Sequence, residues 1–461
     1  MQLSRRLIFG AILVISVSFP LGTAAGELEK EHSGDASVGS APDFDLPAVS
    51  LRITLDRVLA EHAFLTIEAM RTGIAGGAEF EVAAEVLEAN TVELLDLVEA
   101  AYGSEAAAAF GEQWRNHLAY LVDYTRAVAD GDDDARELAS SQLQTYTKDF
   151  SELLAAANPG LPPDVVEGLI VEHVQQLEQI GSFADAGFTE AYPSIRDTYA
   201  HMFMVGDGLT VGIVDRFGDR FTGRATAFSP ALDLRIALDR LLGEHMYFAA
   251  IAMRASLAGA DDLDAAIAAL DDNSADLTEQ ISAIYGEDAG EAFGALWRSH
   301  TRFYLDYVEA VAGENRRAQR QALNGLRIYR SDFSSFLAGA NPFLEPDALE
   351  SLLATHTEHL VDQVTAYQAE EYEAAYQALR DGYAQTEMLA AGLGGAIADQ
   401  FPLLFPDAAV PQPSQRGWLT GIGLMLAMSA IILSGRRRDR ASGSGLPPSR
   451  AHEAGPRGTH P

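Results

Sequence analysis

The side chains of this sequence that are best suited to chemistry are six histidines in two matched sets. Histidine is rare here, with 11 copies among 461 residues. Imidazole nitrogens bind zinc and copper, and they also act as hydrogen-bond donors and acceptors inside protein cores. The two sets are His62, His117 and His173, and His245, His300 and His356. Each pair of counterparts is 183 positions apart, which indicates a duplicated segment.

Short motifs around the histidines repeat at the same distance. The matched pairs are Leu51-Arg52 with Leu234-Arg235, Glu61-His62 with Glu244-His245, Trp114-Arg115-x-His117 with Trp297-Arg298-x-His300, and Asn158-Pro159 with Asn341-Pro342. From Ala191-Tyr192 onward the distance becomes 184, because the matching pair is Ala375-Tyr376. The sequence therefore predicts two homologous units with one residue inserted in a loop of the second.

Apolar residues recur at spacings of three and four along each unit, which is typical of amphipathic helices. In the first unit this predicts six helices, at about 50–75, 79–101, 104–129, 132–156, 162–182 and 188–217. No stretch alternates apolar and polar residues as a half-buried strand does. The predicted fold is therefore all-α, with two tandem homologous helical bundles of about six helices each around a four-helix core, plus one C-terminal transmembrane helix.

The histidines lie on the apolar faces of the first, third and fifth predicted helices of each unit. Each is placed some 10 to 13 residues from the start of its helix, or roughly 15–20 Å along the axis. In an antiparallel bundle of helices of similar length, residues at that height meet in one layer. We therefore expect the three imidazoles of each unit to lie within about 4–8 Å of one another, close enough to share one ion.

Three converging imidazoles suit copper or zinc, with a fourth ligand completing the site. His201, on the sixth predicted helix, is the candidate for the fourth position, although its counterpart in the second unit is Gln385. The candidate metal ligands are therefore His62, His117, His173, His201, His245, His300 and His356. In the alternative interpretation, the histidines bind no metal and satisfy hydrogen bonds in the core.

The remaining composition argues against several other kinds of site. The sequence has no cysteine, which excludes disulfides and thiolate metal ligands. The formal net charge of −35 disfavours nucleic acid and anionic lipid as partners. We find no nucleophile elbow, no phosphate-binding glycine loop and no metalloprotease motif. The sequence thus predicts no catalytic residue, and an enzyme is the less favoured class.

Both ends of the chain are typical of an exported, membrane-anchored protein. Arg5-Arg6 precede an apolar run and then small residues, as in a secretory signal peptide. Near the other end, an apolar stretch is followed by Arg436-Arg437-Arg438, which predicts one membrane span with its tail in the cytoplasm. A removable sorting signal made of an apolar segment and arginines is the alternative. The predicted segments are a signal peptide (1–25), a linker (26–47), the first unit (48–220), a linker (221–230), the second unit (231–403), a proline-rich spacer (404–415), a transmembrane helix (416–435) and a cytoplasmic tail (436–461).

The order Glu-His, Trp-x-x-His, Tyr-x-x-Asp-Phe, Asn-Pro and a final His resembles poorly characterised exported helical-bundle proteins of bacteria. The resemblance covers both units but not the ends, and it implies a helical bundle without an established activity. We expect a membrane-anchored extracytoplasmic protein whose two histidine layers bind copper or zinc, with the membrane as a partner through the C-terminal helix. The alternative is a structural or interaction protein of the cell envelope that binds no metal, its envelope partner unknown.

Overall fold

Helices account for nearly all of the chain that this computed structural model describes, residues 44–184 and 188–407, and no strand occurs in those residues. The helices are α1 (Pro47–Ile74), α2 (Phe80–Tyr102), α3 (Ser104–Asp130), α4 (Asp133–Ala157), α5 (Pro163–Ser182), α6 (Tyr192–Arg216), α7 (Arg224–Ala227), α8 (Pro230–Ala258), α9 (Leu263–Tyr285), α10 (Glu287–Ala312), α11 (Arg316–Ala340), α12 (Pro346–Gln368) and α13 (Tyr372–Gln400). The all-α prediction is confirmed. The single-turn helix α7 lies in the predicted linker and was not predicted.

The same local features are found at helix ends and helix starts in both halves. Gly103, with φ of 91°, separates α2 from α3, and Gly286, with φ of 92°, separates α9 from α10. Residues with a Cβ rarely adopt such angles, so glycine is favoured at both turns. The side chains of Asp132 and Asn315 cap α4 and α11 by accepting hydrogen bonds from backbone amides three residues later. These local signals explain why the helix boundaries could be read from the sequence.

Helices α1 and α8 occupy the centre of their halves. Helix α1 packs against α2, α3, α5 and α6, and α8 packs against α9, α10, α12 and α13. Most side chains of both helices are buried, including charged ones. Helices α6 and α13 pack mainly against α1 and α8, and the remaining long helices pack mainly against their neighbours in the chain. A residue placed in the middle of α1 or α8 therefore faces several helices at once.

The two halves share a core. The rings of Phe64 and Tyr247, which are 183 positions apart, stack with their centroids 3.6 Å apart. The Arg196 guanidinium donates to the Glu244 carboxylate over 2.8 and 3.0 Å, and the Arg380 guanidinium donates to the Glu61 carboxylate over 3.0 and 2.9 Å. Each half thus supplies an arginine to a buried carboxylate of the other half.

The predicted membrane span and signal peptide fall on parts of the chain that are not described. The signal peptide (1–25), the transmembrane helix (416–435) and the tail (436–461) lie outside the described residues, as do most of the linker (26–47) and of the spacer (404–415). Among residues 44–184 and 188–407, none of the helices combines the length and the apolar character that crossing a membrane requires.

Candidate functional site

The first histidine set converges in the core of the first half. His62 comes from α1, His117 from α3 and His173 from α5, and their exposed fractions are 0%, 2% and 7%. The ring centroid of His62 lies 5.3 Å from that of His117 and 5.8 Å from that of His173. The expected histidine layer is therefore present, because its members occupy the buried faces of three helices at one height.

The second set repeats this arrangement. His245 comes from α8, His300 from α10 and His356 from α12, and all three are buried. The ring centroid of His245 lies 5.1 Å from that of His300 and 6.4 Å from that of His356. In each half the histidine of the central helix thus lies close to the other two.

Two imidazoles in each layer point the same ring nitrogen at each other. The Nε2 atoms of His62 and His117 are 3.4 Å apart, and those of His245 and His300 are 3.1 Å apart. One nitrogen can donate a hydrogen bond to the other if the two rings take opposite tautomers. Two nitrogens bound to one tetrahedral ion at 2.0–2.1 Å would lie roughly 3.3 Å apart. The observed distances between Nε2 atoms fit either a hydrogen bond or a shared metal ion.

Aromatic side chains hold the paired imidazoles in place. The Trp114 ring centroid lies 4.6 Å from those of both His62 and His117, and the Tyr146 ring stacks on His117 at 4.9 Å. In the second half, Trp297 and Tyr329 occupy the same positions around His245 and His300. The role of the tyrosines was missed in the sequence, although the repeated Tyr-x-x-Asp-Phe motif could have indicated it.

Burial keeps these histidines neutral. It lowers the pKa of His117, His173 and His300 to about 3 and that of His356 to about 4. The pKa values of His62 and His245 also fall well below the usual range, through burial and through the neighbouring histidines. A neutral imidazole keeps one nitrogen lone pair, which is the form that binds a metal ion.

Several buried ring nitrogens have no hydrogen-bond partner among the described residues. For His173 this holds for both nitrogens. The Nδ1 atoms of His62, His201, His245 and His356 also lack such a partner, whereas His117 and His300 contact the backbone of Trp114 and Trp297, three residues earlier. Leaving a buried polar group unpaired costs about 1–3 kcal/mol, and a ligand that reached the ring nitrogens of His173 would remove that cost there.

The third histidine of each layer does not complete a metal site as it stands. Across residues 44–184 and 188–407, no three histidine, aspartate or glutamate side chains are arranged to hold a metal ion. Each layer therefore offers two imidazoles at ligand spacing. The ring centroids of His173 and His356 lie 5.8 and 6.4 Å from those of His62 and His245, and either ring would have to reorient to join the pair.

His201 makes a structural hydrogen bond that its counterpart repeats. Its Nε2 atom lies 2.9 Å from the Leu169 carbonyl oxygen, and the Gln385 amide donates to the Leu352 carbonyl oxygen over 2.5 Å. Residues 169 and 352 are 183 positions apart, so histidine and glutamine link α6 and α13 to the neighbouring helix in the same way. The Nδ1 atom of His201 lies 3.8 Å from a carboxylate oxygen of Glu172.

The glutamates next to the central histidines are buried but face away from the layers. Glu61 accepts a hydrogen bond from the Asn90 side chain at 2.8 Å as well as from Arg380. Glu244 accepts from Asn273 at 2.7 Å as well as from Arg196. These carboxylates therefore hold the halves together and do not provide a ligand at the histidines.

Comparisons of the chain with protein-family models, with curated proteins and with solved structures found no match. The resemblance in motif order described above therefore remains an expectation. A function has to be inferred from the positions and chemistry of the residues themselves.

Proposed function

We propose that each histidine layer binds one copper or zinc ion and that the chain is a tandem pair of homologous helical bundles anchored outside the membrane. The observation that carries the metal proposal is the facing pair of Nε2 atoms, 3.4 Å apart between His62 and His117 and 3.1 Å apart between His245 and His300. The same ligand spacing occurs twice in one chain. It is found where burial keeps the imidazoles neutral and aromatic rings fix their orientation.

Matched contacts support the two-bundle organisation. The Asn158 amide donates to the Tyr102 hydroxyl at 3.2 Å, and the Asn341 amide donates to the Tyr285 hydroxyl at 3.1 Å. Further contacts recur at the same offset, among them the links of Asn90 and Asn273 to backbone carbonyls of α1 and α8. A duplicated bundle that kept its internal contacts accounts for this pattern.

The donor set favours copper or zinc. Imidazole nitrogen suits both metals, whereas magnesium and calcium prefer oxygen ligands, which the layers do not supply. His173 and His356 would supply the third nitrogen after reorienting. In the second half, His245, His300 and His356 all line a cavity of about 30 Å³, which gives the rings room to close around an ion. His201 stays outside the proposed ligand set, because its Nε2 atom already binds a backbone carbonyl.

Metal binding is tested by counting ions on the purified full chain after dialysis against copper or zinc. We expect two ions per chain, and one ion in either His117→Ala or His300→Ala. His201→Gln is the matched control, because it installs the residue of the second half, and it should retain two. An ion present at 100 times its dissociation constant should raise the free energy of unfolding by about 2.7 kcal/mol.

The opposite outcome would support the alternative interpretation. If neither metal binds, and if chelator leaves the melting temperature unchanged, the histidines are hydrogen-bonded core residues. The protein would then be a structural or interaction component of the cell envelope. Its acidic surface, with a net charge of −35, would select a cationic or neutral partner.

The proposed anchoring gives a separate expectation. Protease added to intact cells should digest the helical body and spare the segment after Arg438, because the arginine cluster would hold that segment on the cytoplasmic side. Antibodies against the body and against the tail would report the two fragments. A protected body with a digested tail would reverse the orientation.

A further inference from the structure

The first half contains an apolar cavity of about 130 Å³ that reaches the histidine layer. Side chains from all six long helices of that half line it, and most of them are leucine, valine, isoleucine or phenylalanine. At one end lie His117 and His173, which are buried. At the other lie Leu97 and Leu153, which are partly exposed. The cavity therefore runs from near the surface to the layer.

Unpaired polar atoms line this cavity. Trp114 Nε1 and both ring nitrogens of His173 have no hydrogen-bond partner among the described residues. These two side chains are at least nine-tenths buried. The indole nitrogen is a donor, and a neutral imidazole offers one donor and one acceptor. A polar group entering the cavity would find both kinds of partner.

In the second half, the corresponding space consists of two separate cavities. A cavity of about 60 Å³ there is not lined by any histidine, and the separate cavity of about 30 Å³ lies at His245, His300 and His356. Three lining positions carry larger side chains in the second half. Phe336 replaces Leu153, Leu349 replaces Val166 and Leu389 replaces Val205. Only the first half keeps a continuous passage to its layer.

We propose that the cavity of the first half binds a small neutral aromatic alcohol of the size of phenol, with its ring on the apolar wall and its hydroxyl at His173. A cavity of similar volume, about 150 Å³, accommodates benzene in another protein. An ionised ligand is disfavoured, because an apolar cavity does not compensate for the hydration that the ligand loses on entry. A hydroxyl both donates and accepts, which matches the unpaired nitrogens. This site does not require a metal ion.

The test uses the full chain freed of metal with EDTA, so that its result is independent of metal binding. Phenol and toluene are titrated by calorimetry, since they have nearly the same shape and differ in the hydroxyl. We expect one phenol per chain and about tenfold weaker binding of toluene, the difference that one hydrogen bond of about 1.4 kcal/mol makes.

Three variants locate the site. Leu153→Phe introduces the residue that the second half carries at this position, and it should abolish binding of both probes. His173→Leu should leave toluene bound and remove the preference for phenol. Phe336→Leu, the reciprocal control in the second half, should leave the affinity for phenol unchanged, because the cavity there does not reach the histidines.

Specific results would overturn the inference. Binding that survives Leu153→Phe would place the ligand elsewhere. A wild-type chain that binds toluene as tightly as phenol would remove the role of the hydroxyl. Failure of both probes to saturate at millimolar concentration would show that the cavity does not take a ligand of this class, whether or not the layers bind metal.

Discussion

Lowering the pH from 8 to 5 is expected to destabilise the metal-free protein by several kcal/mol. The six layer histidines are neutral in the folded chain, because burial lowers their pKa values, and four of these values are about 3 or 4. In the unfolded chain the pKa is about 6.5. The unfolded chain therefore binds more protons below pH 6.5, so stability falls as the pH drops.

The size of the effect follows from the pKa difference. At pH 5, which is about 1.5 units below the unfolded pKa, each histidine that stays neutral costs about 2 kcal/mol of stability. Six such residues give about 12 kcal/mol, which is comparable with the whole stability of an ordinary domain, about 5–15 kcal/mol. The histidines are thus expected to dominate the acid response of the protein.

Four buried carboxyls act in the opposite direction. Burial raises the pKa of Asp239 to about 7, that of Asp56 well above the usual range, and those of Asp207 and Glu79 as well. The folded chain binds more protons at these four groups, so their contribution to stability increases as the pH falls through the folded pKa. For Asp239 the gain between pH 8 and pH 5 is about 3 kcal/mol. The four carboxyls offset part of the effect of the six histidines, so we expect a net loss that is smaller than about 12 kcal/mol.

Urea unfolding curves at pH 8 and pH 5, followed by circular dichroism, measure this change. Asp239→Asn is the control, because it should stabilise the protein about 3 kcal/mol more at pH 8 than at pH 5. Equal free energies of unfolding for the wild type at both pH values would contradict the burial of neutral histidines.

The second large effect is expected for Arg196→Met. The Arg196 side chain is 9% exposed and that of Glu244 is 2% exposed, and they form two hydrogen bonds across the halves. Methionine fills similar space without a charge. It would leave the buried Glu244 carboxylate with the Asn273 amide as its remaining partner in the hydrogen bonds described above. Breaking one side of a buried pair costs about 3–5 kcal/mol, so urea denaturation should show a loss of that size.

A matched surface pair provides the control. Arg298 and Asp271 are 2.7 Å apart, and their side chains are 43% and 65% exposed. Arg298→Met should therefore cost about 0–1 kcal/mol. Adding Glu244→Gln to Arg196→Met should recover much of the loss, because it removes the uncompensated charge. If Arg196→Met lowers the free energy of unfolding no more than Arg298→Met does, the Glu244 carboxylate must be hydrated in the folded protein.

The helices and the histidine layers were predictable from local information. Apolar spacing defined the helices, and turns such as Gly103 and the Asn158-Pro159 pair placed their ends within a few residues. The layers followed from geometry, since His62, His117 and His173 lie at similar heights on the buried faces of their helices. Their use as metal ligands remains a proposal.

Contacts between distant parts of the chain could not be predicted. Nothing local pairs Glu61 with Arg380, and each of these residues alone fits a solvated helix face equally well. The structural hydrogen bond of His201 depends on the position of the Leu169 carbonyl, which becomes known only once α5 and α6 are packed. The cavity arises from small volume differences, such as Leu153 against Phe336, summed over several helices.

The pairing of Glu61 with Arg380 has a consequence for biosynthesis. The two residues are 319 positions apart in the chain. At about 5–20 residues per second, the ribosome adds Arg380 about 15–60 s after Glu61. Until Tyr247 and Arg380 have been added, the first half exposes the ring of Phe64 and the Glu61 carboxylate without their partners. Chains that begin to fold side by side before their second halves are available expose the same surface. We therefore expect mispairing between such chains, which a chaperone covering α1 would suppress.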